Sequence, residues 1–259
     1  MKDNENELLV KKLYETYSYP NRGIENKEKL LNYVKWVSKI FDKDVTYWNG
    51  KTILELGCGT GELANALSFC GANITAIDFS SSSITKAKEL AKRMQSKNVN
   101  FLEKNILELD LEKEFDVVIA LGSLHHTIDA KKGFDIACNH CKTNGIIIIG
   151  LYNKYSRFRH RVKRVILFLL AGKNFEKRII IGQKLFGGDK AKSWLADKYG
   201  QVHESYHSIN QILSWFKEKN IKFVASKPKF KTPIIDELKW LIKRENAFFV
   251  MIGVKQTKN

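Results

Sequence analysis

Between residues 51 and 150, short apolar runs alternate with stretches of helical period, and this limits the possible folds more than any other feature of the chain. The runs at 53–56, 74–77, 99–102, 117–121 and 146–149 read as strands. The stretches at 61–69, 81–94 and 130–141 read as helices, the second carrying Ile84, Ala87, Leu90, Ala91 and Met94 on one side. Strands separated by crossover helices pair in parallel, and a run such as Gly145-Ile-Ile-Ile-Ile-Gly150 suits a strand covered on both faces. The pattern predicts a doubly wound sheet, which binds ligands beyond the carboxyl ends of its strands where strand order reverses.

The flanks read differently. Val10, Leu13, Tyr14 and Tyr17 keep a helical spacing, as do Leu30, Val34, Val37 and Phe41, with Pro20, Asn21 and Gly23 between them as breakers. After Leu151 the pattern loosens into a helix over 158–171, basic in its first half and apolar in its second. A helix over 209–219, a strand over 222–225, a helix over 234–244 and a strand over 248–254 follow. At 259 residues the chain suits one domain with additions. The reading divides it into an N-terminal helical cap at 1–48 and a main domain at 49–259, with a basic helical insertion at about 152–208.

Residues 1–12 lack the pattern of a secretory signal, and the longest apolar stretch, 165–171, falls far short of a membrane span. A soluble, cytoplasmic protein is expected. Cys58, Cys70, Cys138 and Cys141 lack the spacing of a disulfide framework. Cys138 and Cys141 flank His140 in a C-x-x-C, but no second ligand pair stands at a suitable distance, so no metal site is expected and the pair reads as two thiols on a helix face. Charge is uneven: the net +16 lies wholly in residues 151–259, which hold 24 Lys and Arg against 8 acids. That half is either a solvated lysine-rich surface or a face for an anionic partner: RNA, a phosphorylated or carboxylated small molecule, or a lipid surface.

The chemistry concentrates in Glu55-Leu-Gly57-Cys58-Gly59-Thr-Gly61, which leaves the first predicted strand and opens a helix. Glycines there let the backbone turn sharply and come close to a ligand, with the free N–H groups of the helix start facing it. Asp78 ends the second strand, 21 residues after Gly57, where a carboxylate can accept both ribose hydroxyls. Together these indicate an adenosine ligand. The dinucleotide fingerprint would demand glycine where Glu62 stands, and Glu55 would repel a pyrophosphate but suits a ligand carrying an ammonium and a sulfonium. The loop favours S-adenosylmethionine over NAD.

These segments resemble the class I S-adenosylmethionine-dependent methyltransferases. ILELGCGTG (53–61) is similar to the first motif of that family, AIDFS (76–80) to the second, FDVVIALGSLHHT (115–127) to its fourth-strand segment and TNGIIIIG (143–150) to its fifth. The resemblance implies a Rossmann-like α/β fold with a doubly wound, seven-stranded, mostly parallel sheet completed by an antiparallel C-terminal strand pair, here with N-terminal helices and a C-terminal helical cap. It implies a cofactor site of Glu55, Gly57, Cys58, Gly59, Gly61, Asp78, Phe79, Asn105, Ile106 and Leu121. Gly57, Gly59 and Gly61 would pass over the methionine part, Asp78 would bind the ribose and Phe79 would pack on the adenine. Asn105-Ile106 departs from the usual acid before an apolar residue, though an amide oxygen can accept the same adenine hydrogen bond.

The acceptor is less constrained. No Pro-Pro-Tyr/Phe motif follows the fourth strand, as methylation of exocyclic amino nitrogens would need, and no cysteine stands where a pyrimidine C5 enzyme needs one. His125 and His126 stand there instead, as in small-molecule members, and are candidate bases together with Tyr152, which leaves the fifth strand above the crevice. Tyr14, Tyr17 and Tyr19 resemble a Tyr-x-x-Tyr-Pro-Tyr-Pro segment that precedes this domain in some bacterial and archaeal members, with Ser18 in place of a proline. These tyrosines, with His203 and Tyr206 of the polar run 203–207, are candidates for the substrate pocket. The expected activity is methyl transfer to O, N or C of a small anionic metabolite. The alternatives are an RNA (tRNA) methyltransferase using the basic half and a cofactor-binding scaffold subunit. Basic helix 158–171 is read as a membrane-surface or nucleic-acid element, or as a lid over the pocket.

Overall fold

The computed structural model describes residues 2–17, 26–187 and 191–257. Two helices, α1 (Lys2–Thr16) and α2 (Lys27–Lys39), come first, and Asn26 caps α2 by accepting the Lys29 N–H. The alternating region then runs β1 (Thr52–Leu56), α3 (Glu62–Ser68), β2 (Asn73–Asp78), α4 (Ser81–Met94), β3 (Val99–Glu103), β4 (Phe115–Leu121), α5 (Ala130–Asn139) and β5 (Cys141–Tyr152). An insertion of α6 (Phe158–Ala171), α7 (Phe175–Phe186) and α8 (Lys192–Leu195) follows. The chain closes with α9 (Ile209–Glu218), β6 (Ile221–Lys227), α10 (Pro233–Lys243) and β7 (Phe248–Lys255).

The seven strands form one sheet in the order β3-β2-β1-β4-β5-β7-β6. Its first five strands pair in parallel, and β7 lies antiparallel between β5 and β6. Alternate side chains go to opposite faces, so each continuous apolar run feeds two cores. Leu54 and Leu56 of β1, with Ile147, Ile149 and Leu151 of β5, pack with Phe134 of α5 and Trp215 and Phe216 of α9. Ile53 and Ile148 face the other way, onto Leu30, Val34 and Val37 of α2 and Ala64 and Leu67 of α3. The second N-terminal helix thus shares the core of the sheet. A third, smaller core joins Leu13 of α1 to Leu167, Phe175, Ile179, Leu195 and Tyr199, tying the N-terminal helix to the insertion.

Two elements depart from the pattern reading. The helix expected over 130–141 ends at Asn139: His140 is its C-cap, still bonded to the Ile136 carbonyl, and its ring Nε2 accepts the Leu111 N–H, tying the residue to the loop before β4. Cys141 therefore begins β5 opposite Phe115, and the two cysteines do not share a helix face. Helix α7 falls where no periodicity stood out, since its buried face is Phe175, Arg178, Ile179 and Gly182, half of it not apolar.

Candidate functional site

Strand order reverses between β1 and β4, and there the loops leaving β1, β2, β3 and β4 surround a cavity of about 1110 Å³, counted out to its mouth. The β1 loop depends on backbone freedom at two glycines. Gly57 has φ +75° and a Cβ placed on it would stand 2.3 Å from the Ser123 Cβ, so a side chain there collides with the β4 loop. Gly61 has φ +80° and faces Ala87 of α4, so it packs the start of α3 against α4 and does not line the cavity. Ser123 Oγ donates to the Leu56 carbonyl at 2.5 Å, fastening the β1 and β4 loops together.

Asp78 organises the loop as well as facing the cavity. One carboxylate oxygen accepts the Gly59 N–H at 2.9 Å and the other the Ser80 N–H at 3.0 Å. Burial raises its pKa against the pull of those two bonds. Glu55 lies deeper: burial, and then the charges of Glu62 and Asp78, push it well up, and its Oε2 has no hydrogen-bond partner among the described residues. Glu55, Glu62 and Asp78 thus form an acidic cavity floor with one orphaned oxygen, and no group of three or more His, Cys, Asp or Glu among the described residues could hold a metal. That donor set fits a cationic ligand with hydroxyls and does not fit a pyrophosphate.

Cys58, Phe79, Asn105, Ile106 and Leu121 also line the cavity with Gly57 and Gly59. The Asn105 amide is already engaged: its oxygen accepts the Leu107 N–H at 3.0 Å and its nitrogen donates to Glu7 at 2.5 Å. One lone pair of that oxygen remains for a ligand. The roof is made by Glu7, Val10 and Tyr14 of α1 and Tyr33 of α2. Tyr14 stood among the expected pocket residues; for the other three only the apolar spacing of these helices hinted that they pack on something.

Of the three candidate bases, His126 lines the cavity and His125 and Tyr152 do not. The short helical turn Leu124–His126 sends adjacent residues in different directions. His125 is fully buried behind His126, with ring centroids 4.3 Å apart, and lies 3.9 Å from the Tyr152 ring. The Arg157 guanidinium sits 3.5 Å over that tyrosine, completing a stack of four groups. Burial first, and the positive charges of Arg164 and Arg157 after it, lower His126 to about 4 although Glu204 pulls it up. Burial likewise lowers His125 well below the ordinary value.

The polar run 203–207 lies behind this wall and does not line the cavity. Ser205 N–H donates to the His125 carbonyl and His207 N–H to that of Tyr152, holding the run against the end of β5. The Glu204 carboxylate, 0% exposed, receives Arg157 at 3.0 Å and Arg164 at 3.6 Å. Burial works to raise its pKa, and the two guanidiniums overcome that and lower it. Arg161 lies 5.3 Å from the Tyr206 ring, and Arg178, fully buried, donates to the Tyr199 carbonyl at 3.2 Å. Tyr14 links the two regions: its hydroxyl donates to Asp197 at 3.3 Å and accepts from Gln201 at 2.5 Å, while its ring meets His126 and Phe79 edge-on. Tyr17 instead packs edge-on against Phe175, and Tyr19 lies outside the described residues.

This fold and cavity define a class. The family model described as "Methyltransferase domain" matches residues 48–220. The chain belongs to that family, whose class I, Rossmann-like members use S-adenosylmethionine. A malonyl-[acyl-carrier protein] O-methyltransferase of Bacillus anthracis is 32% identical over 157 residues, 59% of this chain and 56% of the relative. A ubiquinone biosynthesis O-methyltransferase of Rickettsia prowazekii is 30% identical over 180 residues, 69% of this chain and 65% of the relative. The chain thus spans less than two thirds of the length of these curated relatives. Among solved structures, magnesium protoporphyrin IX methyltransferase from Synechocystis PCC 6803 with bound SAH superposes with TM-score 0.58 at 14% identity, covering 98% of this chain and 95% of that one. The 1,6-didemethyltoxoflavin-N1-methyltransferase of Burkholderia thailandensis gives 0.58 and 14%, covering 98% and 91%. At such identities the structures share the fold.

Proposed function

We propose that the chain is an S-adenosylmethionine-dependent methyltransferase acting on a small anionic metabolite at oxygen, nitrogen or carbon. The names of the two curated relatives favour oxygen among the three. The observation that carries the reading is the acid-floored cavity under a helical roof, with His126 as the one candidate base on its wall. When bound, the cofactor supplies a methyl group on a positively charged sulfur with a neutral leaving group. Glu55 takes its ammonium, Asp78 its ribose hydroxyls and Phe79 its adenine. Cys58, Asn105, Ile106 and Leu121 shape the rest of that subsite.

His126 accepts the acceptor's proton at Nδ1, which holds no hydrogen bond among the described residues. His125 and Tyr152 position it through their stacked rings. The acceptor enters from the side of Tyr14, between the N-terminal cap at 1–48 and the insertion at 152–208 of the methyltransferase domain at 49–259. A cavity roofed by side chains of α1 and α2 suits a metabolite better than a polynucleotide. The guanidiniums of Arg157, Arg164 and Arg178 outnumber the carboxylates of Glu204 and Asp197 behind the His126 wall, which favours a negatively charged acceptor on its other side. Those arginines point inward, which removes them from any phosphate-binding surface.

Incubation with methyl-labelled S-adenosylmethionine, a small-molecule extract and total tRNA in parallel tests the reading. Label is expected in the small-molecule fraction. Label in tRNA would replace the proposal with an RNA methyltransferase, and cofactor binding with no label in either would favour a scaffold subunit.

A further inference from the structure

Helix α6 is built inside out. Arg157, His160, Arg161, Arg164 and Leu167 recur at helical spacing on the face turned to the protein, where Glu204, the Lys198 carbonyl and Tyr206 meet the polar groups and Leu167 is fully buried. The opposite face carries Phe158, Val162, Val165 and Leu169, spaced 4, 3 and 4 residues apart, the last two 59% and 78% exposed. Ile166, Phe168 and Leu170 widen the stripe, so seven large apolar side chains of a 14-residue helix stand in water. A solvated lid would put its charges outside, and patches of this kind mark an interaction surface.

Charge decides what covers it. Of the eight Lys and Arg in residues 158–187, Arg161, Arg164 and Arg178 turn inward and Lys173 pairs with Glu5, and the segment has a single acid, Glu176. Arg159 on α6 and Lys177 and Lys184 on α7 are exposed. A second copy would bring the same cationic surface against itself. RNA would meet aliphatic side chains where it needs phosphate contacts. An anionic bilayer satisfies both features, since the stripe enters the acyl boundary while the basic side chains reach lipid phosphates. No helix among the described residues is long and apolar enough to cross a membrane, so the contact is peripheral.

We infer that α6 is a membrane-surface helix that docks this protein on anionic lipid, with its apolar stripe in the interface and the basic side chains of α6 and α7 around it. The inference stands apart from the choice of acceptor.

The test is flotation of the full chain with phosphatidylcholine vesicles, with and without phosphatidylglycerol, against the double variant Val165→Glu/Leu169→Glu. Both positions are exposed, so thermal unfolding of the variant should match that of the wild type. The wild type is expected to float with the anionic vesicles only, and the double variant to lose roughly tenfold or more in partition. Lys177→Glu/Lys184→Glu should lower partition as well. Equal partition of Val165→Glu/Leu169→Glu would overturn the inference, because the binding would then be charge adsorption alone. So would absence of flotation with anionic vesicles, or a wild-type dimer that this variant converts to monomer, which would make a second copy the occupant.

Discussion

Gly57 is held by two separate demands, a positive φ and the absence of a Cβ beside Ser123. A non-glycine residue in the left-handed region costs about 1–2 kcal/mol before any collision is counted. Gly57→Ala should therefore lower unfolding stability by at least about 2 kcal/mol. Ser123→Gly relieves the collision but forfeits the Ser123–Leu56 bond, so chemical denaturation of the double variant against Ser123→Gly alone should isolate the φ cost. His126 makes a prediction of different kind. Its pKa is depressed to about 4, so the imidazole stays neutral, and able to take a proton, until pH falls through that value. With cofactor saturating, the acid limb of kcat/KM for the acceptor should lie near 4, not near the ordinary 6.5. His126→Gln should cost about 10²–10⁴ in kcat. Glu55 works in the opposite sense: burial raises its carboxyl well above the ordinary value, whereas a cationic ligand needs the carboxylate. Cofactor affinity should rise with pH above the ordinary carboxylate range, with proton release seen by calorimetry in buffers of different ionisation enthalpy.

At the scale of elements, the insertion is held to the sheet by a buried polar cluster in addition to a small apolar core. Glu204→Gln would remove the ion-pair partner of Arg157 and Arg164, and removing one partner of a buried pair typically costs about 3–5 kcal/mol. Because Glu204 raises His126, the same substitution should move the acid limb further down, so stability and pH profile shift together. The elements were unevenly legible. The limits of α4 and α6 coincide with their apolar patterns, and the five parallel strands follow from runs that feed two cores at once. Helix α7 escaped because Arg178 and Gly182 occupy its buried face, each explained only by Tyr199. The pattern over 158–171 showed a helix but not its orientation, since an apolar half and a basic half do not say which faces the protein.

For the whole molecule, the loop and the acids at the ends of β1 and β2 were readable because local chain geometry creates them. Of the roof only Tyr14 was, through its motif; Glu7, Val10 and Tyr33 reach the cavity through long-range packing. Nor could sequence tell His126 from His125, which differ only by a short turn. The positive excess of the second half also changes meaning once Arg157, Arg164 and Arg178 are seen turned inward. The account rests on an acid-lined cavity that takes S-adenosylmethionine, and calorimetric titration of the intact chain tests this most directly. One site per chain is predicted for S-adenosylmethionine and none for NAD, with binding lost in Asp78→Asn while the circular dichroism spectrum is kept. Absence of heat with S-adenosylmethionine, or undiminished affinity in a folded Asp78→Asn, would contradict it.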